Sequence, residues 1–151
     1  MNEVPKHEKN KTHIQKTTNT LIMRIEHIAI WTRDLEGMRN FYTHYFAAVA
    51  GSCYFNHSKE FRSYFLSFGG ECRLELMEMP AVAGNRNDYK KHHTGIAHFA
   101  FRVGSRERVD QITDQLKEDG YEIISPGRMT GDGYYESAVY DPEKNRIEIL
   151  A

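Results

Sequence analysis

Apolar and polar positions alternate along two stretches of this chain in the same order. Arg24-Ile25-Glu26-His27-Ile28-Ala29-Ile30 parallels Gly95-Ile96-Ala97-His98-Phe99-Ala100-Phe101, and Leu74-Glu75-Leu76 parallels Ile147-Glu148-Ile149. Period-two alternation predicts a strand at about 24–31 and its counterpart at about 95–103. After the first strand, Asp34 is placed to cap a helix with Leu35, Met38, Tyr42, Tyr45 and Phe46 along one face. A strand near 51–56 follows, and then the apolar runs 61–68 and 72–79 flank Gly69-Gly70, a hairpin signal. In the second half Ser105 is the expected cap of a helix bearing Val109, Ile112 and Leu116, closed by Gly120. A short strand at 121–124, a Gly-rich loop from Ser125 to Gly133 and a hairpin of 134–140 with 146–151 complete the pattern, with Asp141-Pro142 at the turn. The expected architecture is α+β: two βαβββ modules, 23–79 and 94–151, joined by a linker over 80–93 and forming one curved mixed sheet around a cavity.

Residues 1–22 are rich in Lys, Thr, Asn and His and lack apolar periodicity before Leu21-Ile22. They read as a flexible tail in which His7 and His13 are solvated, with Met23 an alternative start.

Strand parity gives the repeat its chemical content, because successive side chains point to opposite faces. Ile28 and Ile30 share the helix-packed face of the first strand, so His27, Ala29 and Trp31 leave it on the other side. Phe99, Phe101 and Val103 do the same in the second module, leaving His98, Ala100 and Arg102 opposite. Leucines flank Glu75 and isoleucines flank Glu148, which turns both carboxylates to that same outer side. The separations match as well, 48 positions from His27 to Glu75 and 50 from His98 to Glu148. A lone strand histidine is usually a packed or surface residue; recurrence at equivalent places makes these four a candidate site. Two imidazoles and two carboxylates suit one divalent first-row ion such as Zn, Ni, Co, Mn or Fe, and six-fold coordination would leave two positions open for water or substrate. By the same parity Arg73, Arg102 and Arg146 lie on the ligand side, where they can hold an anionic substrate. His44, His57, His92 and His93 have no counterpart and read as surface or linker residues.

Composition narrows the setting. A length of 151 residues suffices for a buried core without staples. A formal net charge of −1 removes the electrostatic case for a nucleic-acid or anionic-membrane partner. Cys53 and Cys72 lack C-x-x-C spacing, and no apolar run approaches a membrane span or a signal-peptide core, so the expected compartment is the cytoplasm.

The segments E-H-I-A-I-W-T-R-D-L with the following F-Y, R-L-E-L, G-I-A-H-F-A-F and D-P-E-K-N-R-I-E-I-L carry a resemblance over about 23–151. The chain resembles the vicinal oxygen chelate superfamily, which contains glyoxalase I, fosfomycin-resistance proteins, extradiol dioxygenases, methylmalonyl-CoA epimerase and bleomycin-binding proteins. Its His, Glu, His, Glu order is most similar to glyoxalase I. That resemblance implies metal-ligand roles for His27, Glu75, His98 and Glu148, with Glu148 as proton-abstracting base and Glu75 as ligand or second proton carrier. It implies a lyase or isomerase of lactoylglutathione lyase type acting on a small α-oxo-derived substrate, and a homodimer. One departure stands out: glutathione-type enzymes usually carry an arginine four residues after the first ligand histidine, and here that residue is Trp31. Trp31, Arg73, Arg102 and Arg146 are the expected substrate contacts. Other metal-dependent chemistry on the scaffold (thiol addition to an epoxide, oxidative ring opening) and non-catalytic sequestration of a planar compound are the competing expectations.

Overall fold

The computed structural model describes residues 23–151. The expected tail at 1–22 lies outside them.

Module one begins with β1 (His27–Trp31), whose burial alternates along its length. Helix α1 (Leu35–Phe46) starts where the Asp34 carboxylate accepts the Gly37 N–H at 2.9 Å, and it ends on Ala47 in the left-handed region. Its buried residues Leu35, Met38, Phe41, Tyr42 and Tyr45 recur at helical spacing and form one continuous stripe. Four strands follow: β2 (Val49–Ala50), β3 (Tyr54–Asn56), β4 (Phe61–Ser67) and β5 (Arg73–Glu78). The single strand expected near 51–56 is therefore two short ones, separated by Gly51, whose N–H still donates to the Phe65 carbonyl of β4, and by Ser52 and Cys53.

Module two comprises β6 (Phe99–Arg102), α2 (Arg106–Glu118), β7 (Ile123–Met129), β8 (Tyr135–Tyr140) and β9 (Arg146–Leu150). The Ser105 hydroxyl caps α2 by accepting the Arg108 N–H, and Gly120 follows its end with a positive φ of 87°. Strand β6 is shorter than expected, so His98 stands just ahead of it. The loop expected from Ser125 onward is instead mostly strand: β7 runs through Pro126 and Gly127 by shifting register against β8 twice. Those irregularities let an edge strand carry a proline, which has no N–H to give to a regular ladder.

The strands form two sheets rather than the one expected. One has the order β1-β5-β4-β2, with β3 also pairing β4; the other has the order β6-β9-β8-β7. In each, the first strand runs parallel to its neighbour, β1 to β5 and β6 to β9, and the other pairings are antiparallel. Strands β1 and β6 are thus outer strands of their sheets.

The two modules share a core although their sheets do not join. Phe46 of α1 stacks on Phe101 with centroids 4.6 Å apart, and Tyr42 lies 6.3 Å from Phe99. Leu66, Leu76, Leu116, Ile147 and Ile149 are fully buried around them; each contributes roughly 1.5–3 kcal/mol of transfer free energy. Polar ties cross the same seam. The Tyr42 hydroxyl donates to Asp141 at 2.8 Å, the Tyr45 hydroxyl to Asp119 at 2.7 Å, and Glu143 accepts from the Thr32 hydroxyl and the Arg33 N–H.

Candidate metal centre

Each module places one imidazole over one carboxylate. In module one Ala29 sits beside Glu75 on the neighbouring strand, and His27, two residues earlier on the same face, brings its Nε2 to 3.9 Å from Glu75 Oε2. In module two Ala100 and Ala138 flank Glu148, and His98 Nε2 lies 3.1 Å from Glu148 Oε2. A methyl group at 29, 100 and 138 leaves space above the carboxylate that a larger side chain would fill. The carboxylates are deep and the rings shallow: the glutamate side chains are 14% and 13% exposed, the imidazoles 40% each. Two neighbours orient His27, the Phe65 ring edge-on at 5.3 Å and the Glu26 carboxylate at Nδ1.

The expected set of four therefore occurs as two pairs. Among the described residues no group of three or more His, Cys, Asp and Glu converges on one point. The donor chemistry fits half of a divalent-metal shell in each module, an imidazole nitrogen with a carboxylate oxygen on the face opposite the helices.

The three arginines reach this face, in different roles. Arg73 pairs with Glu26 and lies 4.1 Å above the Phe65 ring. Arg102 donates to the backbone carbonyl of Ala151 and stands 5.9 Å from the Tyr134 ring centre. Arg146 comes nearest a candidate ligand, 3.6 Å from Glu148, and its Nε is buried without a hydrogen-bond partner. Trp31 lies on the ligand face, 46% exposed, with Phe61 edge-on at 6.1 Å.

The linker contributes something the sequence reading did not assign to it. A cavity of about 570 Å³ is lined by His98, Arg146 and Glu148 together with Lys90, Lys91 and His92. The run Lys90-Lys91-His92-His93 was visible as a local concentration of positive and titratable groups. Only the fold brings it to the second His–Glu pair.

Comparison with known proteins bears on the family and the fold. The family model described as the glyoxalase/bleomycin resistance protein/dioxygenase superfamily matches residues 24–149. A Bacillus subtilis (strain 168) protein, the uncharacterized protein YqjT, is 25% identical over 134 residues, covering 84% of this chain and 98% of that one. Glyoxalase I from Zea mays superposes with a TM-score of 0.70 at 21% identity, over 84% of this chain and 44% of that chain. This chain thus spans less than half of the maize enzyme. The trypanothione-dependent glyoxalase I of Leishmania major gives a TM-score of 0.67 at 23% identity, over 85% of this chain and 86% of that one.

Proposed function

The chain belongs to the glyoxalase/bleomycin resistance protein/dioxygenase superfamily, and we propose that it is a divalent-metal-dependent lyase or isomerase of glyoxalase I type, working in the cytoplasm as a homodimer on a small α-oxo-derived substrate. The observation that carries the reading is the doubled His–Glu pair on the open face of each sheet. In this reading module one of one copy and module two of the other combine their pairs around a single ion. Three features support a second copy. Strands β1 and β6 are outer strands, and an open edge invites pairing. The equivalent residues Ile25 and Ile96, two positions before each candidate histidine, are 68% and 77% exposed. Two half-shells in one chain also match the two-fold symmetry of a dimer.

His27, Glu75, His98 and Glu148 would hold the ion, which when bound would stabilise negative charge developing on two adjacent substrate oxygens. Glu148 takes the proton from the carbon beside the carbonyl. Its carboxylate is largely shielded from water, and Arg146 stands 3.6 Å from it. Glu75 returns a proton from the opposite side. Trp31 stands where a glutathione-type enzyme would carry an arginine, which argues for a substrate other than the glutathione adduct of methylglyoxal.

Metal analysis after dialysis tests the centre. Wild type should retain about one ion per chain, while His98→Ala and Glu75→Ala should retain almost none and keep the wild-type circular dichroism spectrum. Equal metal in all three proteins would overturn the assignment. Screening α-oxo-derived adducts with the metal-loaded protein, with and without chelator, tests the reaction class.

A further inference from the structure

The two modules repeat each other closely enough that the differences between equivalent positions can be read as information about the ligand. On the ligand face Trp31, Met77 and Ser63 lie in register across β1, β5 and β4, and Tyr54 of β3 pairs with Ser63. In module two the corresponding row is Arg102, Leu150 and Glu136, with Arg128 of β7 opposite Glu136. Phe61 and Tyr134 stand two residues before Ser63 and Glu136, which makes them equivalent too. Trp31, Phe61 and Tyr54 therefore answer to Arg102, Tyr134 and Arg128.

Module one builds an uncharged aromatic wall at this place. Trp31 and Phe61 meet at 6.1 Å with planes 85° apart, and Tyr54 and Phe61 meet at 6.1 Å with planes 60° apart. Trp31 is 46% and Tyr54 55% exposed. Rings set at such angles form a corner, which receives another ring against one face and edge-on to the next. The wall begins one residue pair along the face from Glu75, since Trp31 pairs Met77 where Ala29 pairs Glu75; two residues of strand span about 6.6 Å. Module two builds a charged row instead, in which Arg128 is paired with Glu136 and Arg102, beside Tyr134, supplies the surplus positive charge. Arg102 lies 5.9 Å from the centre of the Tyr134 ring, and Arg128 lies 3.6 Å from Glu136.

We infer that the substrate is a planar aromatic anion, with its ring seated on Trp31, Phe61 and Tyr54 and its charged end toward the Arg102–Arg128 side. This deepens the proposed function and rests on it for the place of the oxygen-chelating head. A ligand of this class uses both walls, whereas an aliphatic oxo acid leaves two exposed rings, Trp31 and Tyr54, and the half-buried Phe61 between them without a partner. An uncharged aromatic wall on one module and the Arg102 charge at the equivalent place on the other, brought together across the two copies of the proposed dimer, give the complementarity such a molecule requires.

Trp31 is the chain's only tryptophan, so its fluorescence reports on the wall directly. The probes are phenylglyoxylate and pyruvate, which share a 2-oxo acid head and differ in ring against methyl. With metal-loaded wild type, phenylglyoxylate should quench Trp31 and bind on the order of tenfold more tightly than pyruvate by calorimetry. Trp31→Leu should bring the two affinities together while leaving metal content and pyruvate affinity unchanged, and Phe61→Leu should narrow the gap with Trp31 still present. Equal affinities in metal-loaded wild type would overturn the inference and leave the metal centre standing. A ring preference undiminished in Trp31→Leu would also overturn it. Should wild type hold no metal, the reading of the centre fails instead; phenylglyoxylate quenching of the metal-free protein, absent with pyruvate, would then still support the aromatic wall, and its absence would overturn that as well. Weakened dimerisation in Trp31→Leu with unaltered ring preference would assign the wall to the second copy.

Discussion

At the scale of single residues, Gly127 and Glu148 test packing and chemistry separately. A Cβ on Gly127 would lie 2.2 Å from Asp110 Oδ1 and 2.7 Å from the Tyr135 hydroxyl, the two groups whose hydrogen bond ties α2 to β8. Gly127→Ala must push one of these side-chain ends away, so urea unfolding should show a loss of about 0.5–1.5 kcal/mol, that of one hydrogen bond. Gly131, whose Cβ would meet nothing within 4 Å, is the control and should change little. Glu148→Gln keeps the side chain's shape and an oxygen donor but removes its basicity. Metal-loaded Glu148→Gln should turn over the substrate found by screening at least about 100-fold more slowly than wild type, the low end for loss of a general base; an unchanged rate would move the base elsewhere. The outward direction of His27, Glu75, His98 and Glu148 was legible in the sequence because a strand's period is two and their apolar neighbours mark the core side. The deep carboxylate and shallow ring were not legible, since they depend on Ala29, Ala100 and Ala138 being small at positions across the ladder.

Among the elements, helix α1 joins the modules, and its hydrogen bond to the β8–β9 turn makes stability respond to pH. Burial pushes the Tyr42 hydroxyl well above its ordinary range, and the neighbouring Asp141 carboxylate adds to the effect. A tyrosine whose folded-state pKa is raised contributes full stability below its unfolded value of about 10 and loses it as pH rises beyond, because only the unfolded chain ionises there. Stability should fall above about pH 10, with Tyr42 supplying up to ~1.4 kcal/mol per pH unit of the slope. Tyr42→Phe should be less stable at pH 7 by about 1–3 kcal/mol, since Asp141 loses a donor, and should show a shallower alkaline decline. Denaturant titrations at pH 7, 10 and 11 check both signs. Both helices and their caps were readable because Asp34 and Ser105 stand immediately before stripes of helical period. Strand β7 was not, because Pro126 and Gly127 are the residues that normally announce a loop; the two register shifts that accommodate them arise from pairing with β8, the next strand in the chain, and no residue within 123–129 signals them.

For the whole molecule, the consequence of half-sites is complementation. If module one of one copy meets module two of another, His27→Ala and His98→Ala chains should each bind almost no metal alone. Mixed by co-unfolding and refolding, they should recover about a quarter of the wild-type metal, because half the dimers are mixed and each has one intact pairing. No recovery in the mixture, with both variants folded, would place all four ligands in one chain. The duplication was plain in the sequence from its two matched runs, whereas the separation into two sheets was not: alternation identifies a strand and its faces but carries no record of which strand lies beside its outer edge. Among the described residues, no backbone–backbone hydrogen bond joins module one to module two, so each tie between the halves involves a side chain or the chain segment at 80–93. That segment acts as a tether that sets a local concentration, typically millimolar for a short flexible link. Cleavage near Gly84 would leave two fragments, each with a helix and a complete sheet, whose reassociation becomes an ordinary bimolecular equilibrium readable by dilution.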